Sequence, residues 1–218
     1  MEKNQQTQKV SFSDKMRVWF HWYLKPIASL LQKLGITPNT VTIFGLIGTI
    51  GVAVLIALGH LTWAGILLLI MGPVDAIDGV LARLRNEASA WGAFVDSVTD
   101  RYSELFIYGG FILFYLKESN PSGIVLSYVA AAGSILVSYI RARAEASNLD
   151  AKVGILTRVE RYIVLIPGLI FSCFLDSLPL IALFIIAIFA NFTALQRIFW
   201  ARADAHKNYK FPSRRKTE

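Results

Sequence analysis

Apolar residues run along the chain in six long stretches, at about 40–58, 61–83, 90–116, 122–147, 155–175 and 178–200, separated by short polar breaks. Each stretch is close to the ~20 residues that a helix rising ~1.5 Å per residue needs to cross ~30 Å of hydrocarbon. The pattern predicts an all-α integral membrane protein with six transmembrane helices. Residues 12–35 differ in kind. There Trp19, Phe20, Trp22, Tyr23, Leu30, Leu31 and Leu34 are interleaved with Lys15, Arg17, Lys25 and Lys33. That mixture suits an N-terminal amphipathic helix, bent at Pro26, that lies in the membrane interface or packs on the bundle. Gly35 and Pro38 close it, and Asn39-Thr40 open the first span in the style of a helix N-cap. The expected organisation is a flexible N-terminus over 1–11, the juxtamembrane helix over 12–35, a six-helix domain over 36–200 and a disordered basic tail over 201–218.

Composition agrees with a membrane protein. The 218 residues are 55% apolar and only 17% charged, and the mean hydropathy is +0.50, too apolar for an ordinary soluble domain of this length. The leader ahead of residue 40 lacks the short apolar core of a cleavable secretory signal, so the chain is expected to be the mature protein. The net charge of +7 is unevenly placed. Cationic residues gather before residue 39, at Arg83 and Arg85, over 141–161 and from Arg197 onward, all on one side of a six-span arrangement. The opposite connections, Gly59-His60, Lys117 to Ser122 and Asp176-Ser177, hold one Lys between them. The positive-inside rule then puts both termini in the cytoplasm of a multi-pass cell-membrane protein. Nucleic acid is a poor partner for basic residues scattered over four membrane-proximal segments. The single Cys173 reads as packing, and His21, His60 and His206 are too far apart in sequence to suggest a His-based metal site.

Against that apolar background four carboxylates stand out: Asp75, Asp78, Asp96 and Asp100. A charged side chain in hydrocarbon costs at least a few kcal/mol, which gives intramembrane acids a functional reading by default. Asp75, Asp78, Gly79 and Ala82 follow the i, i+3, i+4, i+7 rule of one helix face, and Gly92, Asp96 and Asp100 recur at steps of four. If the second and third spans form an antiparallel hairpin turning around Asn86, then Asp75, Asp78 and Asp96 fall within about one turn of a common depth, with Asp100 one turn deeper. At ~1.5 Å per residue Asp78 lies about 10 Å in from Arg85, so the cluster is reachable from the cytoplasm. Four like charges so spaced would repel one another without cations. Carboxylate oxygens select hard ions, Mg²⁺ or Mn²⁺, over zinc. Gly79, Gly92 and Ala82 leave room for a bulky group beside the acids, and Arg83, one turn from Gly79, is placed to hold a phosphate.

The string DxxDGxxARx8GxxxDxxxD, read from Asp75 to Asp100, resembles the signature of the CDP-alcohol phosphatidyltransferase family at every one of its eight positions. The stretch from Pro38 to Thr42 resembles the Pro-Asn-x-x-Thr with which that family often begins its first span. The resemblance implies a six-helix enzyme in which an alcohol hydroxyl attacks the β-phosphorus of a CDP-linked lipid such as CDP-diacylglycerol and releases CMP. It implies that Asp75, Asp78, Asp96 and Asp100 bind two Mg²⁺ ions, with Asp100 also the general base. It further implies that Gly79, Ala82, Arg83, Gly92, Asn39 and Thr42 serve the nucleotide, and that the enzyme is a homodimer. Ser97 and Arg101 around the third and fourth acids, with the 138–145 and 153–161 stretches, resemble the branch that uses inositol phosphate to make phosphatidylinositol phosphate or archaetidylinositol phosphate. A phosphorylated acceptor needs cations, and Arg141, Arg143, Arg158, Arg161 and Arg197 stand at predicted cytoplasmic helix ends, where Arg suits bidentate phosphate recognition. Topology alone explains arginines there equally simply. A cation transporter remains the non-enzyme alternative, and it leaves Arg83 unexplained.

Overall fold

The computed structural model describes residues 24–208; the expected flexible N-terminus, the first half of the amphipathic helix and the last ten residues of the tail lie outside them. Among the described residues the chain is helical, without a strand. A helical segment at 24–33 (α1) precedes α2 (Pro38–Ala57), α3 (Leu61–Met71), α4 (Val74–Leu84), α5 (Ala90–Lys117), α6 (Pro121–Ala146), α7 (Arg158–Ile170) with a 3₁₀ turn over Phe171–Cys173, and α8 (Leu178–Asn208). Among the described residues four spans are long and apolar enough to cross a membrane: Pro38–Ala57, Leu61–Leu84, Pro121–Ala146 and Leu178–Lys207. Large apolar side chains on their surfaces, among them Ile43, Ile47, Tyr128, Phe184, Ile188 and Phe192, stay exposed, a surface suited to lipid tails and not to water. The protein is a multi-pass membrane protein.

Four boundaries differ from the expectation. The second apolar stretch is two helices, because Pro73, after Gly72, has no amide hydrogen to continue the ladder of α3; α4 restarts at Val74. The cap of α2 is Thr37 instead of Asn39-Thr40: its Oγ1 accepts from the Thr40 amide at 3.3 Å, and Pro38 occupies the first helical position, where its missing N–H costs nothing. The fifth helix starts only at Arg158, since Thr157 is extended and ends the loop before it. The expected tail is helical as far as Asn208, because Ala201, Ala203 and Ala205 favour helix and the Asp204 carboxylate accepts from the Asp150 amide at 2.9 Å.

The chain divides into two compact units, one made of residues up to Gly45 with Ile70–Thr99, the other of Leu46–Leu69 with Asp100 onward. In the first, Ile77, Val80 and Leu81 of α4 bury against Leu24 and Ala28 of α1 and Val41 of α2. The foot of α4 is tied down by polar groups: Gln32 donates to the Leu84 carbonyl at 3.4 Å and Arg85 to the Ile36 carbonyl at 2.8 Å. The turn to α5 centres on Asn86, as the hairpin reading required, with φ 56°; Asn tolerates this left-handed conformation better than most residues. In the second unit Val52, Ile56, Leu68, Phe111, Leu165, Leu169, Leu183 and Ile186 form the core. There α6 packs along α8, and a Cβ at Gly133 would lie 2.5 Å from Asn191 Nδ2 and 3.0 Å from its backbone nitrogen, so the two helices approach closely at a bare Cα.

Candidate active site

The acid motif is set out by the helices as its spacing demands. Asp75 lies in the first turn of α4, and Asp78 follows one turn on with only 6% of its surface exposed. Buried polar atoms need partners, and Asp78 has one in Thr42, whose Oγ1 donates to Oδ2 at 2.6 Å. Thr42 belongs to the Pro38–Thr42 stretch, so the start of α2 and the acids of α4 work on one carboxylate. Three residues beyond Thr42, Gly45 makes room for Asp75: a Cβ there would sit 2.8 Å from Asp75 Oδ1. Sequence reasoning passed over Gly45. Its signal was the three-residue step from Thr42, which puts both on one face of α2.

The small residues of the motif leave space on the same unit. A Cβ at Gly79 would meet nothing nearer than the Arg83 guanidinium, 3.7 Å away, so Arg83 folds back over the bare turn while its side chain stays exposed. Ala82 is half-buried and Asn39 exposed. Gly92 sits in the first turn of α5, where its amide is capped by Ser89 Oγ at 3.0 Å. Asp96 follows one turn later, half-buried.

Asp100, one further turn along α5, belongs to the second unit. Its Oδ1 accepts from Arg158 Nη1. Arg158 also donates to the Tyr162 hydroxyl at 3.2 Å and lies 5.3 Å from the centroid of that ring, a cation–π distance. The other expected phosphate ligands divide sharply. Arg141 and Arg143 are exposed, and Arg141 pairs with Glu145 at 3.0 Å. Arg161 and Arg197 are 1% and 4% exposed. Arg197 donates to the carbonyls of Val153 at 2.7 Å and Val137 at 2.6 Å; Arg161 binds Glu104 and the Leu156 carbonyl. Glu104 was not expected at the site, although it continues the four-residue steps of Gly92, Asp96 and Asp100.

The donor set of the motif is all carboxylate oxygen, which fits hard divalent cations, and the bare backbone of Gly45 lets the Asp75 carboxylate pack closely against α2. Among the described residues no group of three or more His, Cys, Asp or Glu is drawn together as around an ion; Asp78 and Asp100 are turned instead to Thr42 and Arg158.

The sequence model of the CDP-alcohol phosphatidyltransferase family matches residues 35–195. The phosphatidylinositol phosphate synthase of Mycobacteroides abscessus is 35% identical over 183 residues, 82% of this chain and 83% of its own. The archaetidylinositol phosphate synthase of Pyrococcus horikoshii is 35% identical over 180 residues, 82% of this chain and 90% of its own. Among solved structures, the Mycobacterium tuberculosis phosphatidylinositol phosphate synthase with CDP-DAG bound superposes with a TM-score of 0.78 at 26% identity, covering 87% of this chain and 98% of that one. The same enzyme in complex with manganese and citrate gives a TM-score of 0.79 at 26% identity, over 87% and 93% of the two chains.

Proposed function

The chain belongs to the CDP-alcohol phosphatidyltransferase family, and on that premise we propose that it transfers a phosphatidyl group from CDP-diacylglycerol to a hydroxyl of inositol phosphate, releasing CMP. The observation that carries this reading is the complete eight-position motif, laid on α4 and α5 to either side of the Asn86 turn. Relatives named for inositol phosphate lipids support the choice of acceptor.

In this reading Asp75, Asp78, Asp96 and Asp100 hold two divalent cations, Mg²⁺ or Mn²⁺, which neutralise the pyrophosphate and stabilise the entering and leaving oxygens. Thr42 and Gly45 orient two of those carboxylates from behind. Asn39, Gly79, Ala82, Arg83 and Gly92 accommodate the CMP portion, Arg83 as a phosphate donor. Asp100 takes the proton of the acceptor hydroxyl as its oxygen bonds to the β-phosphorus; the bond from that phosphorus to the CMP oxygen breaks. Arg158, Arg141 and Arg143 meet the acceptor phosphate, while Arg161 and Arg197 hold the backbone around them. The charge distribution of the sequence supports six crossings, α1 at the interface and both termini with the acids on the cytoplasmic side. The family resemblance supports a homodimer.

Purified protein in lipid nanodiscs, given CDP-diacylglycerol, a divalent cation and a panel of acceptors, tests this. Release of CMP is expected with inositol 1-phosphate and is expected to stop with EDTA. Use of glycerol 3-phosphate alone would overturn the acceptor, and no release with any alcohol would overturn the reaction.

A further inference from the structure

Glu104 and Arg161 form a charge pair outside the motif, and Glu104 has no part in the chemistry above. Both are nearly inaccessible, at 3% and 1% exposure. Arg161 Nε donates to Glu104 Oε1 at 3.0 Å, Nη2 donates to the same oxygen, and Nη1 donates to the Leu156 carbonyl at 3.1 Å. The Leu156 amide is held in turn by Thr193 Oγ1 at 3.1 Å. Leu156 stands two residues ahead of Arg158. Glu104 stands one turn beyond Asp100 on α5, and Arg161 one turn beyond Arg158 on α7. The pairs Asp100–Arg158 and Glu104–Arg161 are therefore successive rungs between the same two helices.

A buried ion pair is a poor source of stability, because desolvation offsets its attraction and apolar side chains of similar volume often do as well or better. It does fix register, since two planar, directional groups meet in one way only. We propose that Glu104 is a positioning residue: through Arg161 it sets the end of the α6–α7 link and the first turn of α7, and so places Arg158 beside Asp100 to receive the phosphate of the acceptor. This rests on the acceptor reading above for its kinetic consequence, and on geometry alone for its structural one.

The test uses the full chain in nanodiscs with Glu104→Gln and the double variant Glu104→Met/Arg161→Met, which removes both charges while keeping apolar volume. Misplacing a binding group by an ångström is worth one to two orders of magnitude. The double variant is expected to melt close to wild type, with KM for inositol 1-phosphate raised about tenfold and KM for CDP-diacylglycerol within about twofold; Glu104→Gln, at about threefold, moves the same way. Equal changes in both KM values, or none in either variant, would overturn the proposal. Amide exchange over 153–158 needs no substrate. It is expected to quicken about tenfold in either variant that folds, and unchanged exchange would overturn the positioning role even if the acceptor reading stood. If wild type uses another acceptor, the exchange result still stands for or against Glu104, while the acceptor reading alone falls.

Discussion

The two units of this protein handle charge in opposite ways. On α4 the first unit places two carboxylates on successive turns, Asp75 and Asp78, beside small residues and a hydroxyl. In the second unit acids and arginines alternate from helix to helix, so that Asp100 faces Arg158 and Glu104 faces Arg161. Like charges gathered in a medium of low dielectric need a counter-ion from elsewhere, whereas opposite charges drawn from neighbouring helices satisfy one another. The first arrangement suits a guest; the second suits a frame. The comparison also sorts the arginines, since the exposed Arg141 and Arg143 can reach solutes and the buried Arg161 and Arg197 hold carbonyl oxygens of the chain.

Perturbing the motif acids and their supports should cost most. Asp100→Asn is expected to lower CMP release by about 10³-fold, in the range for loss of a general base, with CDP-lipid binding retained by calorimetry; turnover near wild type would remove Asp100 from that role. Gly45→Ala should come next. Its methyl must displace the Asp75 carboxylate, so turnover is expected to fall about 30-fold and half-saturation by Mg²⁺ to rise, while the melting temperature holds. Thr42→Val deprives Asp78 of a charge-assisted hydrogen bond worth ~1.5–3 kcal/mol, and the same metal titration is expected to shift about tenfold, with Thr42→Ser restoring it. The rest of the frame should respond without any change in metal binding. Thr193→Val leaves the Leu156 amide without its acceptor and is expected to cost ~1–2 kcal/mol, read as a fall of a few degrees in melting temperature with half-saturation by Mg²⁺ unchanged. If Thr193→Val altered the Mg²⁺ titration while Gly45→Ala altered only stability, the division of labour between the two units would be reversed.

The features legible in the sequence were those set by local rules. Apolar length marked the four spans long and apolar enough to cross a membrane, out of six expected, the i, i+3, i+4 spacing put the motif on one face of each helix, and Asn86 marked the turn. Pro73 was visible too, yet a long apolar stretch hid the break it makes, because hydropathy counts side chains and not missing amide hydrogens. The charge of Arg161 was legible; its partner was not, because Glu104 lies 57 residues away in sequence and only the packing of α5 with α7 joins them. Gly45 escaped for a similar reason: a bare Cα acquires meaning only from the carboxylate packed against it.

The link between α6 and α7 has a consequence for how an acceptor is chosen. Asp204, Arg197 and Thr193 grip it at Asp150, Val153 and Leu156, three clamps spread over ~16 Å of one long helix. A segment fastened in this way acts as a rigid rim and not as a flap. With Arg158 receiving the acceptor as proposed, discrimination among alcohols would fall to a socket that exists before the guest arrives, and little ordering entropy would oppose its filling.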